Sequence, residues 1–375
     1  MNSIAILFAS YGPYHIARLE GFYNRYNSSF KKIVGIELAR KQIEYAWQSE
    51  VEGLPFPIVS VIKWRQLEQV TFSRLLLQVY KVLSQIDPDI LVIAGYARPA
   101  MLAALLWCLY QRKAVILVSE TKQDDAPRSL WNETIKRWIL KHYNAALVGG
   151  QPQKRYLIEL GMPAEAIFLG YNVVGNKFYH PNQIKTLPTP ISKPYFLAIN
   201  RFVPKKNLLF LISSYAAYRQ AVGTQAWDLV LCGDGQLRPQ IEQYIAEFGL
   251  QDTVHLPGFL QQDELLPYFA HANCFIHASI QEQWGLVVNE AMAAGLPVLV
   301  SNRCGCFEDL VIEGVNGFGF DPENSQQLTD LMIKVSLGNV ALETMGQAAL
   351  EHIKNFSPDY FAQGLMQAIE YALAH

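Results

Sequence analysis
The sequence predicts an α/β protein made of two doubly wound, parallel-sheet domains of Rossmann-like type. Three observations carry this. Short apolar runs, rich in Val, Ile and Leu, alternate with helix-period segments along the chain, the pattern of strand–helix–strand units. The chain has 375 residues, of which 51% are hydrophobic, enough for two domains that each bury a core. Residues 181–194 contain Pro181, Pro188, Pro190 and Pro194, a linker-like composition, and the alternation restarts after them. The boundary is therefore placed between a domain at 1–185 and a second at 186–356.

In the first domain, strands are predicted at Ser3–Ala9, Lys32–Glu37, Ile58–Ile62, Ile90–Ala94, Val115–Ser119, Ala145–Val148 and Ala166–Leu169. Helices are predicted at Tyr14–Tyr26, Phe72–Gln85, Pro99–Gln111, Leu130–Tyr143 and Gln153–Leu160. Ser10-Tyr11-Gly12-Pro13 is a turn between the first strand and helix. Asp87-Pro88-Asp89 precedes its strand and reads as a turn, not as an acidic metal pair. In the second domain, strands at Tyr195–Ile199, Leu229–Leu231 and Thr253–Leu256 alternate with helices near Lys206–Gln220, Gln236–Phe248 and Gln262–Ala270. Asn316–Phe320 is a later strand, and Pro358–Ala374 is a final amphipathic helix.

The most informative stretch is Ala278–Val300, ASIQEQWGLVVNEAMAAGLPVLV. A strand-like run at Asn273–His277 leads into it. Leu286–Ala294 is a helix-forming run that stops at Gly295, with Pro297 just beyond. Pro297–Val300 is again strand-like. Glu282 lies in the loop and Glu290 in the helix. The helix start at Trp284, Gly285, Leu286 and Val287 offers unpaired N–H groups to an anion or hydroxyl, and Gly285 permits close approach. A carboxylate accepts hydrogen bonds at both oxygens and suits a pair of sugar hydroxyls. Two carboxylates about a helix N-terminus therefore suit two sugars flanking a phosphate. Two solvated surface acids are the plainer reading. The apolar setting of Glu290 argues against it, because lone carboxylates are rarely buried. Arg201 and Lys206 follow a strand and open a helix, where a phosphate would sit; Arg gives a planar fork and Lys a compact charge.

Glu282, Glu290 and WGLVVNEAMAAGLPV resemble the paired-glutamate motif of retaining GT-B glycosyltransferases of family 4. The resemblance implies a GT-B fold with a cleft between its domains and a final helix, about 357–375, packed back on the first domain. It implies transfer of a hexose from a nucleotide-sugar, UDP-glucose being the best guess, to a saccharide or lipid-linked acceptor. Glu282 would hold the donor sugar and Glu290 the ribose, with backbone contacts from Trp284, Gly285, Leu286 and Val287. Arg201 and Lys206 match cations that contact the diphosphate. Asn200 departs from the family, which commonly has glycine there. Gly233, in Gly233-Asp234-Gly235, and Leu256 and Phe259, in Leu256-Pro257-Gly258-Phe259, match elements that approach the nucleotide; by themselves they read as a turn and an apolar residue. Gly12 stands where the family has a glycine-rich phosphate loop. On the acceptor side, His15 and Glu120 are candidates. A structural role is the plainer reading of His15, and relatives carry a histidine near Glu120 that this chain lacks. No cofactor, no metal and no nucleic acid are expected. A same-fold epimerase and a non-catalytic nucleotide-sugar-binding module are the rival readings.

The formal net charge of −2 hides an asymmetry. Residues 1–180 carry 21 Lys/Arg against 14 Asp/Glu, and 181–375 carry 10 against 19, so +7 faces −9. A basic first half suits an anionic acceptor or peripheral contact with the inner face of the plasma membrane; simple attraction between the halves is the alternative. Trp131, Lys136, Arg137, Trp138, Lys141 and Tyr143 fall on one predicted helix, which either lies on a membrane or buries its tryptophans in the core. No apolar run is long enough to span a bilayer, and MNSIAILFAS lacks a basic leader region and reads as a strand. The five cysteines, with Cys108, Cys232 and Cys274 in apolar runs, read as reduced core residues of a cytoplasmic protein.

Overall fold
The computed structural model describes residues 1–40, 53–63 and 67–375. The chain divides into two compact units, 1–175 with 356–375, and 176–355. The first begins with β1 (Ser3–Phe8), α1 (Pro13–Tyr26), β2 (Lys32–Ala39), β3 (Ile58–Ile62), α2 (Phe72–Ile86), β4 (Ile90–Ala94) and α3 (Pro99–Gln111). It continues through β5 (Ala114–Ser119), α4 (Leu130–Leu140), β6 (Ala145–Val148), α5 (Gln151–Glu159) and β7 (Ile167–Leu169). Its sheet runs β3-β2-β1-β4-β5-β6-β7, with every pairing parallel.

The second unit comprises α6 (Asn176–Tyr179), α7 (Pro181–Ile184), β8 (Tyr195–Ile199), α8 (Leu208–Val222), β9 (Asp228–Cys232), α9 (Arg238–Glu247), β10 (Val254–Gly258), α10 (Gln262–His271) and β11 (Cys274–His277). After these come α11 (Leu286–Ala293), β12 (Val298–Ser301), α12 (Phe307–Leu310), β13 (Gly317–Phe320), α13 (Ser325–Ser336) and α14 (Leu342–Ile353). Its sheet order is β10-β9-β8-β11-β12-β13, again parallel. In both sheets the order reverses beside the first strand of the unit. Such a switch leaves a crevice at the strands' carboxyl ends, where ligands of open α/β sheets bind.

Residues 176–184 count with the second unit. Composition alone reads this stretch as the end of the first domain and the start of a linker, but it forms α6 and α7, with Tyr179 and Ile184 buried. The remaining element ends differ from the sequence reading by one to three residues, where helices fray and strands run into turns.

The last helix, α15 (Pro358–Ala374), belongs to the first unit and packs on α1 and on β5, β6 and β7. Pro358 starts it, where its missing N–H costs nothing. Phe361, Leu365, Ala368, Ile369 and Ala372 form its buried stripe. Gly364 lets the helix approach the sheet: a Cβ there would lie 2.0 Å from the Leu169 carbonyl oxygen. Gly364→Ala is therefore expected to cost about 2 kcal/mol, read as a shifted urea midpoint at unchanged slope. An unchanged midpoint would mean that α15 is not held at this distance.

Among the described residues no helix is long and apolar enough to cross a membrane. All five cysteines are buried thiols. Asp87 caps α2 in a left-handed conformation (φ 45°), and Asp89 accepts hydrogen bonds from the Ser3 N–H and hydroxyl, so both act in a turn.

Candidate active site
The site in the second unit forms where β8 and β11 lie side by side at the sheet's switch. After β8 the chain passes Asn200 and exposed Arg201 and enters a short 3-10 turn, Pro204–Lys206. After β11 it runs through Ala278–Gln283 to α11. The Ile280 N–H donates to the Lys205 carbonyl at 3.0 Å, which ties the two loops together. This brings Lys206 Nζ into direct contact with Glu282 Oε2, with both side chains only 12–13% exposed. On the far side the Glu282 loop is lashed to 304–306. The Gly305 N–H donates to the Glu282 carbonyl at 3.1 Å and the Cys306 N–H to the Trp284 carbonyl at 3.2 Å.

Two residues that sequence reasoning did not single out complete the Glu282 environment. Ser279 Oγ donates to Glu282 Oε2 at 3.3 Å, and His277 Nε2 lies 3.4 Å from the same oxygen. Burial raises the Glu282 carboxyl pKa, but the His277 hydrogen bond and the Lys206 charge outweigh it and hold the group well below the usual carboxylate range. Burial holds the fully enclosed His277 imidazole below its usual range, and its Nδ1 has no hydrogen-bond partner. The sequence signal for His277 was a polar ring ending an apolar strand.

Gly285 begins α11 with φ 104°, a left-handed conformation in which a side chain would be strained. Gly285, Leu286 and Val287 are half-buried, while Val288 to Ala293 are buried all round. The helix thus offers only its first turn outward. The Trp284 ring is core, 2% exposed, with its indole N–H on Asn289 Oδ1 at 2.8 Å, so Trp284 can meet a ligand only through its backbone. Glu290 is 3% exposed and accepts a hydrogen bond from Tyr179 OH at 2.6 Å; Gln262 Nε2 donates to that hydroxyl at 2.7 Å. Sequence reasoning gave no sign of Tyr179, which sits 111 positions away.

The other candidates occupy loop ends of their units. The Gly233 N–H donates to the Gly258 carbonyl at 2.7 Å. Gly233 is also the point of closest approach to β8, since a Cβ there would lie 1.8 Å from the Asn200 carbonyl oxygen. Gly233 thus shapes the crevice with its amide already used. Asn200 itself is 7% exposed, with neither carboxamide atom hydrogen-bonded. Leu256 is half-buried in β10, and Phe259 just beyond it is 46% exposed. Gly12, His15 and Glu120 belong to the first unit. The Gly12 N–H donates to His15 Nδ1 at 3.3 Å, and the His15 ring lies 4.2 Å from that of Phe8. Burial and then the Arg18 charge push His15 down to about 3, so it stays neutral. Glu120 is half-buried at the end of β5 and acts electrostatically on Tyr171. Among the described residues no group of three His, Cys, Asp or Glu side chains is placed to hold a metal ion.

Fold and site together define a class: a two-unit GT-B protein with a carboxylate–ammonium pair at the switch of its second sheet. Residues 180–352 match the family described as glycosyl transferases group 1. The chain is 28% identical over 188 residues to the amylovoran biosynthesis glycosyltransferase AmsK of Erwinia amylovora, an alignment covering 48% of this chain and 45% of AmsK. It is 30% identical over 176 residues to the lipopolysaccharide core biosynthesis glycosyltransferase LpsE of Rhizobium meliloti, covering 44% and 49%. The chain thus spans about half the length of the curated relatives it matches. Over its whole length the fold is similar to Anabaena HepE in complex with UDP and glucose, with a TM-score of 0.77 at 20% identity, covering 99% of this chain and 100% of HepE.

Proposed function
We propose that the protein is a retaining glycosyltransferase that moves a hexose from a UDP-sugar to a saccharide or lipid-linked acceptor, without a metal. The observation that carries this reading is the Lys206–Glu282 pair set before the open first turn of α11, with buried Glu290 eight positions on. In the proposed mechanism the diphosphate sits between the α11 N-terminus and Lys206 and Arg201. The bond from the anomeric carbon to the β-phosphate oxygen breaks, and its electron pair leaves on the diphosphate. Lys206 and Arg201 stabilise that growing charge more in the transition state than in the ground state. The acceptor hydroxyl attacks from the same face, its oxygen bonds to the anomeric carbon, and its proton passes to the departing phosphate oxygen. Glu282 accepts hydrogen bonds from the donor hexose, and Glu290 from the ribose. UDP-glucose is the first donor to test: HepE has been crystallised with it.

UDP release from a panel of UDP-sugars tests the reading, with and without chelator. Slow hydrolysis of one UDP-sugar, unchanged by chelator, is the expected result. Tight UDP binding with no turnover, even with acceptor saccharides, would make this a binding module instead. Binding of GDP or ADP but not UDP would overturn the UDP assignment.

Tyr179 supplies a finer test. Tyr179→Phe removes the hydroxyl that orients Glu290. It is expected to lower stability by about 1 kcal/mol and to raise KM for the donor with little change in kcat. A kcat loss at constant KM would place Glu290 away from the nucleotide.

A further inference from the structure
The helices covering one face of the first unit's sheet expose apolar side chains that a soluble helix normally turns inward. On α3, Leu106 is 63% and Tyr110 78% exposed; on α4, Leu130 is 91%, Trp131 74%, Ile135 43% and Trp138 62% exposed. Trp131, Ile135 and Trp138 follow at i, i+4 and i+7, so they share one face of α4. The tryptophans are therefore surface residues, while Tyr143, just beyond the helix, is buried. Isolated exposed apolar residues need no explanation, but a stripe of them marks an interaction surface.

The exposed charges on α3 and α4 and at their ends are all basic. Neither α2 nor α3 contains an acid. The one acid of α4, Glu133, is half-buried and bonded to Lys136 Nζ at 2.7 Å and to Tyr156 OH at 2.9 Å. The charges left exposed along α3 and α4 are Arg98 and Arg112 at the ends of α3, Arg137 on α4 and Lys141 just beyond it. Lys141 and His142 also line a cavity of about 550 Å³ with Arg112, Leu109, Lys113 and Asp89, whose carboxylate lies 3.9 Å from Lys113 Nζ, and the His142 ring meets that of Trp138 edge-on at 5.0 Å. The aromatic stripe thus runs into a recess where Arg112, Lys113 and Lys141 outnumber the single acid Asp89.

From this we propose that α3 and α4 dock on an anionic phospholipid surface. Trp131, Trp138 and Tyr110 sit at the headgroup level, where amphipathic rings are favoured. Arg137, Lys141 and Arg112 face lipid phosphates. The surface lies wholly within the first unit and does not depend on the reaction assigned to the second.

Flotation of the full chain with phosphatidylglycerol-containing vesicles, against pure phosphatidylcholine vesicles, tests this. The chain is expected to float with the anionic vesicles only, with a blue shift of tryptophan emission and loss of binding at high salt. Trp131→Ser/Trp138→Ser and, separately, Arg137→Glu/Lys141→Glu should each reduce binding by about tenfold or more. All four positions are exposed, and unchanged circular dichroism and UDP binding would show that each variant is folded. No flotation of the wild type with anionic vesicles overturns the proposal, as does flotation that neither variant weakens. A wild-type dimer that the tryptophan variant converts to monomer would reassign the face to self-association.

Discussion

Lys206→Ala is expected to lower kcat for UDP-sugar turnover by about 100- to 1000-fold, the loss typical of removing one preorganised group from a developing oxyanion. In the resting protein the ammonium rests on Glu282, held there because Ile280 is hydrogen-bonded to Lys205 and Gly305 to Glu282. Donor binding would bring two new claims on this pair, phosphate for Lys206 and hexose hydroxyls for Glu282. Until then the Lys206 charge helps keep the Glu282 carboxylate ionised, and the contact holds both side chains in position. Glu282→Gln keeps the shape but loses half the acceptor capacity, and is expected to raise KM as well as lower kcat. Because the residues touch, their effects should not add: the double variant should be little worse than the poorer single one. Steady-state kinetics of the three variants, each shown to be folded, measure this. Additive losses would mean that the two residues act independently, and a Lys206→Ala enzyme within about threefold of wild type would remove Lys206 from the reaction.

The same pair is expected to make stability depend on pH. Glu282 is held below the usual carboxylate range in the folded protein, so its contribution is fully present above that range and is lost as pH falls through its folded value. Glu282→Ala leaves Lys206, 12% exposed, without its carboxylate, and is expected to cost about 3 kcal/mol at neutral pH. The difference between wild type and variant should hold from pH 7 to pH 5 and shrink below the ordinary carboxylate range. Burial holds the His277 imidazole below its usual range, so both proteins lose stability as pH falls through that range, and this shared loss drops out of the difference between them. Urea unfolding of both proteins across this pH span is the measurement. A gap that widens in acid would contradict the sign of the linkage. A gap near zero at pH 7 would mean that the charge pair offsets only its own desolvation.

Much of the architecture was legible because its signals are local. β3, β4, β6 and β8 and the helices α3 and α15 fall on the residues that apolar period and Gly/Pro punctuation indicate. The stop of α11 was readable from Ala293-Ala294-Gly295, where Gly295 has φ 76°. Where composition misled, packing had intervened. Residues 181–194 look like a linker by proline content, yet Pro181–Ile184 form α7 with Ile184 buried. Gly233, which by itself reads as a turn, has its amide committed to Gly258, and its missing Cβ makes room for the Asn200 carbonyl.

The sequence by itself determined the class of fold, the order of strands and helices, and the eight-position spacing that sets Glu282 and Glu290 about the start of one helix. Those depend on spacings of two to eight residues, over which backbone geometry is stereotyped. Only the tertiary structure decided what each carboxylate touches, Lys206 across 76 residues and Tyr179 across 111, and which way Trp131 and Trp138 face. A partner so distant along the chain is chosen by strand order and side-chain packing. A helix stripe of tryptophan and isoleucine has the same period whether it faces a core or a bilayer.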